Sequence, residues 1–363
     1  MNHPIKSLTA LLASVSLILT PIAQACTGIS LYSDDGAVIS GRTMEFGFDI
    51  QSQIGIVPAG TEIETLITDQ DHSGFSYKTK YGFIAVNGVD KPIALDGLNE
   101  KGLYFGAHYF SGQAKFAKLS KDNQANAINS AELGNWLLGN FATVDEIRKA
   151  LPKITVVESY IEELKGNAPL HYRLVDASGK SIVIEYTKAG LTIFDNKVNA
   201  FTNSPTFDWH LTNLVNYLGL TADNRDAFNL NGEQLAPFGE GTGLVGLPGD
   251  HSSPSRFVRA TVFANSALPS KTADDAVFQA FHIFNTFDIP KGSTRSYEGD
   301  VMLTDYTIWT SVADTKNLNY YLKTYKGQSV EKFDLKQALK NITSVTYLPM
   351  DNDFNIIDRT PVP

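Results

Sequence analysis

Residues 23–46 read AQACTGISLYSDDGAVISGRTMEF, and this stretch decides how the rest of the chain is organised. It follows a leader made of one lysine and then an apolar run ended by a proline. Ala23 and Ala25 give the small-residue pattern of a signal-peptidase site, so we expect residues 1–25 to be a secretory signal that is removed. Cleavage after Ala25 makes Cys26 the first residue of the mature chain.

Charge and cysteine content exclude several classes of protein. The chain has a net charge of −9, and removing the leader, whose only charged residue is Lys6, leaves −10. An acidic chain without a Lys/Arg cluster argues against nucleic acid or an anionic membrane as the partner. A single cysteine cannot form an intramolecular disulfide, so stability must come from burial. No later stretch approaches ~18 consecutive apolar residues, so we expect an exported, periplasmic or secreted protein without a membrane anchor.

Blocks of strand-like segments alternate with blocks of helix-like segments. Residues 27–33 and 37–42 flank the turn signal Asp34-Asp35-Gly36, which predicts a hairpin that brings Arg42 back toward Cys26. Further strands are predicted at 53–57, 81–86, 102–110, 171–175, 181–186, 191–194, 198–202, 305–312, 318–325 and 344–348. One helix is predicted at 131–141, and a second begins after the capping box that starts at Thr143. Further helices are predicted at 208–218, 256–267 and 273–287, the last capped by Thr272. This block order indicates an α+β fold with mostly antiparallel sheets. No linker or repeat divides residues 26–363, so we expect one domain.

Cys26 has three interpretations. It could be an inert core residue, but a residue at a new chain terminus is seldom deeply buried. It could be the acylated cysteine of an envelope lipoprotein, but that signal requires an aliphatic residue where this chain has Ala23. It could be a nucleophile, because a thiolate attacks carbonyl carbons well and the α-amine of the same residue can accept a proton near neutral pH. We favour the nucleophile.

Other catalytic signatures are weak. The histidines form no recognisable pattern with Cys26 and are expected to be surface or satisfied core residues. The sequence from Gly241 to Gly246 fits G-x-G-x-x-G, but no predicted strand precedes it and a proline follows where a helix should begin. There is no G-x-S-x-G, P-loop, C-x-x-C or H-E-x-x-H motif. Hydrolysis without a metal or cofactor is the chemistry that remains.

Seven motifs, in order along the chain, closely resemble the choloylglycine hydrolase family, which contains conjugated bile salt hydrolases and penicillin V acylases among the N-terminal-nucleophile hydrolases. They are Cys26-Thr-Gly28, Gly41-Arg-Thr-Met-Glu45, Asp96-Gly-Leu-Asn-Glu-Lys-Gly-Leu103, Thr202-Asn-Ser-Pro-Thr-Phe-Asp-Trp209, Gly241-Thr-Gly-Leu-Val-Gly-Leu-Pro-Gly-Asp250, Ser255-Arg-Phe257 and Gly292-Ser-Thr-Arg295. The resemblance covers nearly the whole mature chain. It implies a four-layer αββα sandwich and often a homotetramer.

The resemblance also implies roles for individual residues. Cys26 matches the nucleophile, and Arg42 matches an arginine beside the thiol, where a fixed cation favours thiolate. Asn203 matches the side-chain donor of an oxyanion hole, and Arg256 matches an arginine that holds the network. Glu45 stands where the family usually has Asp bonded to the amine of the nucleophile. It keeps the charge but adds a methylene group, so the amine could be held differently or through a backbone shift.

Three further features concern the substrate and self-association. Tyr109 occupies a position where bile salt hydrolases tend to have Asn and penicillin V acylases Tyr, which favours aryl-acyl amides. Residues 216–234 resemble a loop through which relatives form tetramers. An apolar acyl pocket is predicted from five residues, of which Met44 and Tyr109 lie nearest the motifs. The five are Met44, Phe46, Phe48, Phe83 and Tyr109.

The sequence therefore predicts a cysteine-dependent amidase that cleaves a linear amide of an N-acyl substrate, of the penicillin V or conjugated bile salt type. Two alternatives stay open. One is an N-acyl homoserine lactone acylase, which uses the same chemistry with a different acyl pocket. The other is a non-catalytic envelope lipoprotein acylated at Cys26.

Overall fold

Two large antiparallel sheets form the centre of the protein. The computed structural model describes residues 25–67, 72–158 and 160–360, and within them one sheet has six strands and the other eight. The six-stranded sheet has the order Ala200–Phe201, Cys26–Tyr32, Val38–Phe46, Tyr306–Asp314, Asn319–Thr324, Glu331–Asp334. The eight-stranded sheet has the order Gly190–Asp195, Ser181–Thr187, Leu170–Val175, Tyr104–Tyr109, Lys91–Asn99, Phe83–Gly88, Gln53–Val57, Thr346–Pro349.

Helices cover the outer faces of both sheets. They are α1 (Leu133–Asn140), α2 (Val144–Ala150), α3 (Phe207–Leu214), α4 (Ser253–Ser266), α5 (Ala273–Asn285) and α6 (Leu335–Asn341). α4 and α5 pack on the six-stranded sheet, and α1 packs on the eight-stranded sheet. Small buried residues such as Ala276 and Ala280 on α5 let the helix approach the sheet closely. The result is the predicted α+β architecture of four αββα layers. No helix among these described residues has the length and apolar character needed to cross a membrane.

Short two-stranded elements extend from this sandwich. They are Glu62–Ile67 with His72–Lys78, Ala127–Asn129 with Thr155–Val157, Tyr160–Ile161 with Gly166–Asn167, Phe228–Leu230 with Glu233–Leu235, and Ser296–Glu298 with Val301–Leu303. Only the pair of Ala127–Asn129 with Thr155–Val157 is parallel among those described.

The first hairpin forms as predicted and places the two ends of the opening stretch together. Cys26 lies opposite Met44, and Gly28 lies opposite Arg42. Gly36 has a φ of 82°, a left-handed conformation that glycine adopts without steric cost, so the chain can reverse here. The returning strand runs on to Phe46, which brings Glu45 into the same sheet as Cys26.

Both predicted helix caps are present. The Thr143 side chain accepts a hydrogen bond from the main-chain N–H of Glu146 at 3.3 Å, and Thr272 accepts one from Asp275 at 3.2 Å. The helix predicted at 208–218 ends earlier than expected, because α3 stops at Leu214 and a 3₁₀ turn follows at Val215–Tyr217.

One central strand, Lys91–Asn99, is absent from the sequence-based prediction because it carries a charged residue in its middle. Asp96 is fully buried and accepts hydrogen bonds from the Tyr104 hydroxyl at 2.5 Å, the Tyr320 hydroxyl at 2.5 Å and the Ser311 hydroxyl at 2.9 Å. Ser311 and Tyr320 belong to the other sheet, so this carboxyl joins the two sheets. Burial raises the pKa of Asp96, while the nearby Arg42 guanidinium and the three hydroxyl donors act to lower it.

Replacing Asp96 with Ala should therefore destabilise the protein strongly. Three buried hydroxyl groups lose their acceptor at once, and we expect a loss of about 3–5 kcal/mol in the free energy of unfolding. Urea unfolding of the parent and of Asp96→Ala measures this loss. Asp96→Asn is the matched control, since it keeps one acceptor oxygen and should lose less. Equal stability of the parent and Asp96→Ala would contradict the role of the carboxyl in joining the sheets.

Candidate active site

Cys26 begins a central strand of the six-stranded sheet. The residue is 2% exposed. Its main-chain nitrogen donates a hydrogen bond to Oδ1 of Asn203 at 2.7 Å. In the structure this nitrogen is the peptide N–H that follows Ala25, and in a chain cut after Ala25 an α-amine would stand at the same place. The thiol, this nitrogen and Asn203 are therefore together at one point.

Arg256 connects the helix layer to this point. α4 begins with Ser253 and Pro254, and proline in the first turn suits a helix start because its missing N–H has no partner there anyway. One turn later the Arg256 guanidinium donates to the carbonyl oxygen of Cys26 at 2.5 Å and to the Thr27 hydroxyl at 2.9 Å. Its other terminal nitrogen donates to Oδ1 of Asn203 at 2.8 Å.

The Asn203 side chain uses both ends of its amide. Oδ1 accepts from Cys26 and Arg256, as described above, and Nδ2 donates to the main-chain oxygen of Tyr109 at 3.0 Å. An amide nitrogen carries two hydrogens, so the second one can serve an oxygen of a bound carbonyl group. The Asn203 main-chain N–H donates to the Ser253 hydroxyl at 3.0 Å, which holds the residue in place.

Arg42 lies between the two sheets and is fully buried. It donates to the carbonyl oxygen of Ala107 in the opposite sheet and to Thr43 at 3.2 Å, and its guanidinium lies 5.5 Å from the ring centre of Trp309. Arg42 and Cys26 share the wall of one pocket. The structure therefore places a buried cation in the same cavity as the thiol.

Glu45 lies beside Met44 at an irregularity of the sheet. The strand pairing shifts between these two residues, so that Trp309 faces Met44 and Thr307 faces Glu45. Oε1 of Glu45 accepts from the Thr307 hydroxyl at 3.0 Å, and Oε2 has no hydrogen-bond partner among the described residues. Burial raises the pKa of Glu45 to about 8, although the Arg256 guanidinium acts to lower it. The free oxygen is an acceptor available for a further donor.

A pocket with almost entirely apolar walls opens beside Cys26 and encloses about 530 Å³ of empty space, its open side included. Met44, Phe46 and Tyr109, three of the five residues named from the sequence, line it. Phe48 and Phe83 do not, and their prediction as pocket residues is wrong. Phe83 is buried in the core, and Phe48 packs edge-to-face on Phe46 with ring centres 4.8 Å apart. The remaining walls are Ile50, Gly88, Val89, Ile93, Leu95, Ala107, Ala131, Ile161, Leu164, Ala168 and Leu170, besides Cys26 and Arg42.

Sequence patterns did not identify Asp305 or Thr307 as neighbours of the site. Asp305 is 4% exposed, and its Oδ1 has no hydrogen-bond partner within the part of the chain that is described. Burial raises its pKa to about 7, and the Arg256 guanidinium acts to lower it. Asp305 directly precedes the strand Tyr306–Asp314, and Thr307 lies at the start of that strand. Both are far from their partners in sequence, so only the fold brings Asp305 near Arg256 and Thr307 near Glu45. No group of three or more His, Cys, Asp or Glu residues in the described ranges is arranged to hold a metal ion.

The raised pKa of Asp305 predicts a pH-dependent stability that an Asp305→Asn variant lacks. Between its unfolded value near ~4 and its folded value of about 7, the folded protein holds a proton that the unfolded chain has released. The free energy of unfolding of the parent should therefore fall relative to Asp305→Asn, by up to ~1.4 kcal/mol per pH unit, as the pH rises through this range. Urea unfolding of both proteins from pH 4 to pH 8 measures the difference, and a constant difference would contradict the assignment.

Comparison with known proteins identifies the family. The model of the linear amide C-N hydrolases, choloylglycine hydrolase family, matches residues 26–347. Bile salt hydrolase/transferase from Clostridium perfringens is 33% identical over 86% of this chain and 93% of the relative. Penicillin V acylase from Pectobacterium atrosepticum is 29% identical over 93% of this chain and 88% of the relative.

A solved structure has the same fold. The crystal structure of a variant of conjugated bile acid hydrolase from Clostridium perfringens superposes with a TM-score of 0.81 and 31% sequence identity, covering 93% of this chain and 100% of that chain. The predicted resemblance is thereby confirmed. The chain belongs to the choloylglycine hydrolase family of linear amide C–N hydrolases.

Proposed function

We propose that this protein is an acylase in which Cys26 is the nucleophile and the substrate is an amide of an apolar acyl group. The observation that carries the proposal is the meeting of Cys26, Asn203 and Arg256 beside a pocket with apolar walls. The acyl group would occupy the pocket, and its carbonyl carbon would lie at the thiol. The amine part of the substrate would extend toward solvent.

The residues around Cys26 can perform both halves of amide hydrolysis. The thiol passes its proton to the α-amine of the mature chain, and the sulfur forms a bond to the carbonyl carbon. The free Nδ2 hydrogen of Asn203 stabilises the oxyanion. The resulting α-ammonium gives its proton to the leaving amine as the C–N bond breaks, which leaves a thioester. Water, deprotonated by the α-amine, then attacks the thioester and releases the acid and the thiol.

Arg42, Glu45 and Arg256 support this chemistry by charge and orientation. The guanidinium of Arg42 places a positive charge in the wall of the pocket that Cys26 also lines, where it can act on the negative charge that develops during the reaction. The free Oε2 of Glu45 is an acceptor for an N–H of the α-ammonium, which is how the longer side chain can replace the aspartate usual in the family. Arg256 fixes the carbonyl of Cys26 and the amide of Asn203 relative to each other.

The character of the pocket favours simple apolar acyl groups. A hydroxylated steroid acid would place hydroxyl groups against walls that offer few polar partners, and each such burial is costly. Tyr109 and Phe46, with rings 6.3 Å apart in an edge-to-face arrangement, suit an aryl-acyl group of the penicillin V type. The aliphatic walls formed by Val89, Ile93 and Leu164 equally suit an alkyl chain, so an N-acyl homoserine lactone is the second candidate substrate.

Hydrolysis of three substrate types by the processed protein tests this proposal. We expect penicillin V and a medium-chain N-acyl homoserine lactone to be hydrolysed with kcat/KM at least tenfold above that of glycine- or taurine-conjugated bile salts. Cys26→Ser and Cys26→Ala should both abolish turnover, with Cys26→Ser as the matched variant that keeps a hydroxyl nucleophile. Turnover retained in either variant would contradict the mechanism, and preferred hydrolysis of bile salts would contradict the assignment of substrate.

The mechanism requires a free α-amine on Cys26, so we also propose export and cleavage after Ala25. The leader lies outside the described residues, and its pattern supports the proposal. Mass spectrometry of the mature N-terminus decides between the alternatives. An unmodified N-terminal Cys26 supports the acylase, whereas a diacylglyceryl thioether would identify an envelope lipoprotein and end the proposed mechanism.

We further propose that an exposed arm mediates association with further copies of this chain, as in a tetramer. The arm is the hairpin of Phe228–Leu230 and Glu233–Leu235, which lies within and just after the predicted loop 216–234. Its apolar side chains are unusually exposed, at 62% for Phe228 and 54% for Leu235. Exposed apolar patches of this kind are typical of protein interfaces.

Charged residues on this arm should therefore separate the copies. We expect Phe228→Asp together with Leu235→Asp to shift the protein from oligomer to monomer in size-exclusion chromatography with light scattering. Exchange of Phe278 for Asp is the matched control, since Phe278 is 66% exposed and belongs to α5, a different element from the arm. A parent protein that is monomeric at all concentrations would contradict the proposal.

A further inference from the structure

Three buried histidines surround the main chain at Asn203. His108 Nδ1 lies 3.1 Å from the carbonyl oxygen of Thr202, and His171 Nε2 lies 3.0 Å from the same oxygen. His210 Nε2 lies 2.9 Å from the carbonyl oxygen of Asn203 itself. A carbonyl oxygen only accepts hydrogen bonds, so each of these ring nitrogens carries a hydrogen. Both peptide groups flanking the backbone of Asn203 are thus fixed by imidazole donors.

His108 and His171 reach this point from the opposite sheet. They are paired across neighbouring strands, Tyr104–Tyr109 and Leu170–Val175, of the eight-stranded sheet. The Thr202 carbonyl follows the edge strand Ala200–Phe201 of the six-stranded sheet. The two rings therefore form a bridge between the sheets that ends on the peptide group in front of Asn203.

His171 has a second acceptor. Its Nδ1 lies 3.2 Å from Oε1 of Glu185, and both side chains are 1% exposed. Oε1 also accepts the main-chain N–H of Phe207 at 2.9 Å. An ionised carboxylate only accepts, and a neutral imidazole has a single N–H, which His171 already directs to Thr202. The contact between Nδ1 and Oε1 therefore needs one more proton.

We infer that His171 and Glu185 hold one shared proton in the interior and that this pair is a positioning device for Asn203. The proton lies either on the ring, as an imidazolium beside a carboxylate, or on the carboxyl, which then donates to Nδ1. In both forms Nε2–H points at Thr202 and fixes the peptide group before Asn203. Neither residue touches the reacting atoms, so both act through Asn203.

The surroundings of the pair support a shared proton. The ring of His171 stacks on Phe110, with centres 4.2 Å apart and planes 8° from parallel, and packs against Phe201 at 4.3 Å. These apolar rings exclude water from one side of the pair. Burial lowers the pKa of His171 below its usual value, although the hydrogen bond and charge of Glu185 act to raise it. Loss of the proton would leave a buried lone pair facing a buried carboxylate, which is costly.

Two substitutions at Glu185 separate the shared proton from a general need for charge or packing. Glu185→Gln supplies a permanent N–H to Nδ1 of His171, but Oε1 contacts both groups, so this amide nitrogen gives up the hydrogen bond that Oε1 accepts from Phe207. Both variants lose that bond, so we expect kcat of Glu185→Gln to stay at least several-fold above that of Glu185→Leu. Glu185→Leu has similar volume and cannot donate, so the ring is released and Asn203 is misplaced. We expect kcat to fall roughly tenfold to hundredfold with little change in KM. Equal loss in both variants, or no loss in either, would overturn the inference.

A readout independent of any substrate completes the test. Nitrogen NMR of protein labelled in histidine, assigned with His171→Gln, should show for the parent either a doubly protonated His171 ring or an Nδ1 that accepts a strong hydrogen bond. An ordinary neutral ring with an unbonded Nδ1 would overturn the inference, even if Glu185→Leu fails to fold. The kinetic measurements rest on the proposed acylase function. A parent protein inactive on every substrate would contradict that function, and the NMR result alone would then decide whether the proton is shared.

Discussion

The contact on which the site depends is the one made by the Arg256 guanidinium. A single side chain from α4 reaches through the helix layer and binds the carbonyl of Cys26, the hydroxyl of Thr27 and the amide oxygen of Asn203. Hydrogen bonds from a charged donor are shorter and stronger than those between neutral groups. Because one planar donor group connects them, the strand that begins at Cys26, the Asn203 segment and α4 cannot shift independently. The geometry of the site is therefore a property of the tertiary structure.

The electrostatic character of the interior follows from how its charges are compensated. Arg42 and Arg256 are buried and donate largely to main-chain oxygens and neutral side chains. The nearby carboxyls of Glu45 and Asp305 have pKa values raised by burial to about 8 and about 7. Near neutral pH the guanidinium charge is thus only partly balanced by carboxylate. A positive charge of this kind would stabilise the oxyanion that the proposed amide hydrolysis creates.

Much of the fold and the family could be predicted from the sequence, and the reasons are local. The hairpin from Cys26 to Phe46 is predicted by two strand-like segments that flank the turn at Gly36. The helix caps at Thr143 and Thr272 are predicted by hydrogen bonds between residues close together in sequence. The strand Lys91–Asn99 was not predicted, because its charged Asp96 binds residues of the other sheet and no local sequence pattern indicates such a contact. For the site, ordered motifs pointed to Cys26, Asn203 and Arg256, and the structure brings these residues together.

The residues that sequence reasoning missed are all defined by long-range contacts. Asp305, His171 and Glu185 stand in ordinary strand or loop sequence, and their importance arises only where the two sheets and α4 meet.

The burial of Cys26 has a further chemical consequence. Because Cys26 is 2% exposed and lies in a pocket wall with apolar side chains, an oxidant or alkylating agent must enter by the route that an acyl group would take. Small hydrophilic reagents should therefore spare the only thiol of this chain, and lipophilic electrophiles shaped like an acyl group should modify it selectively.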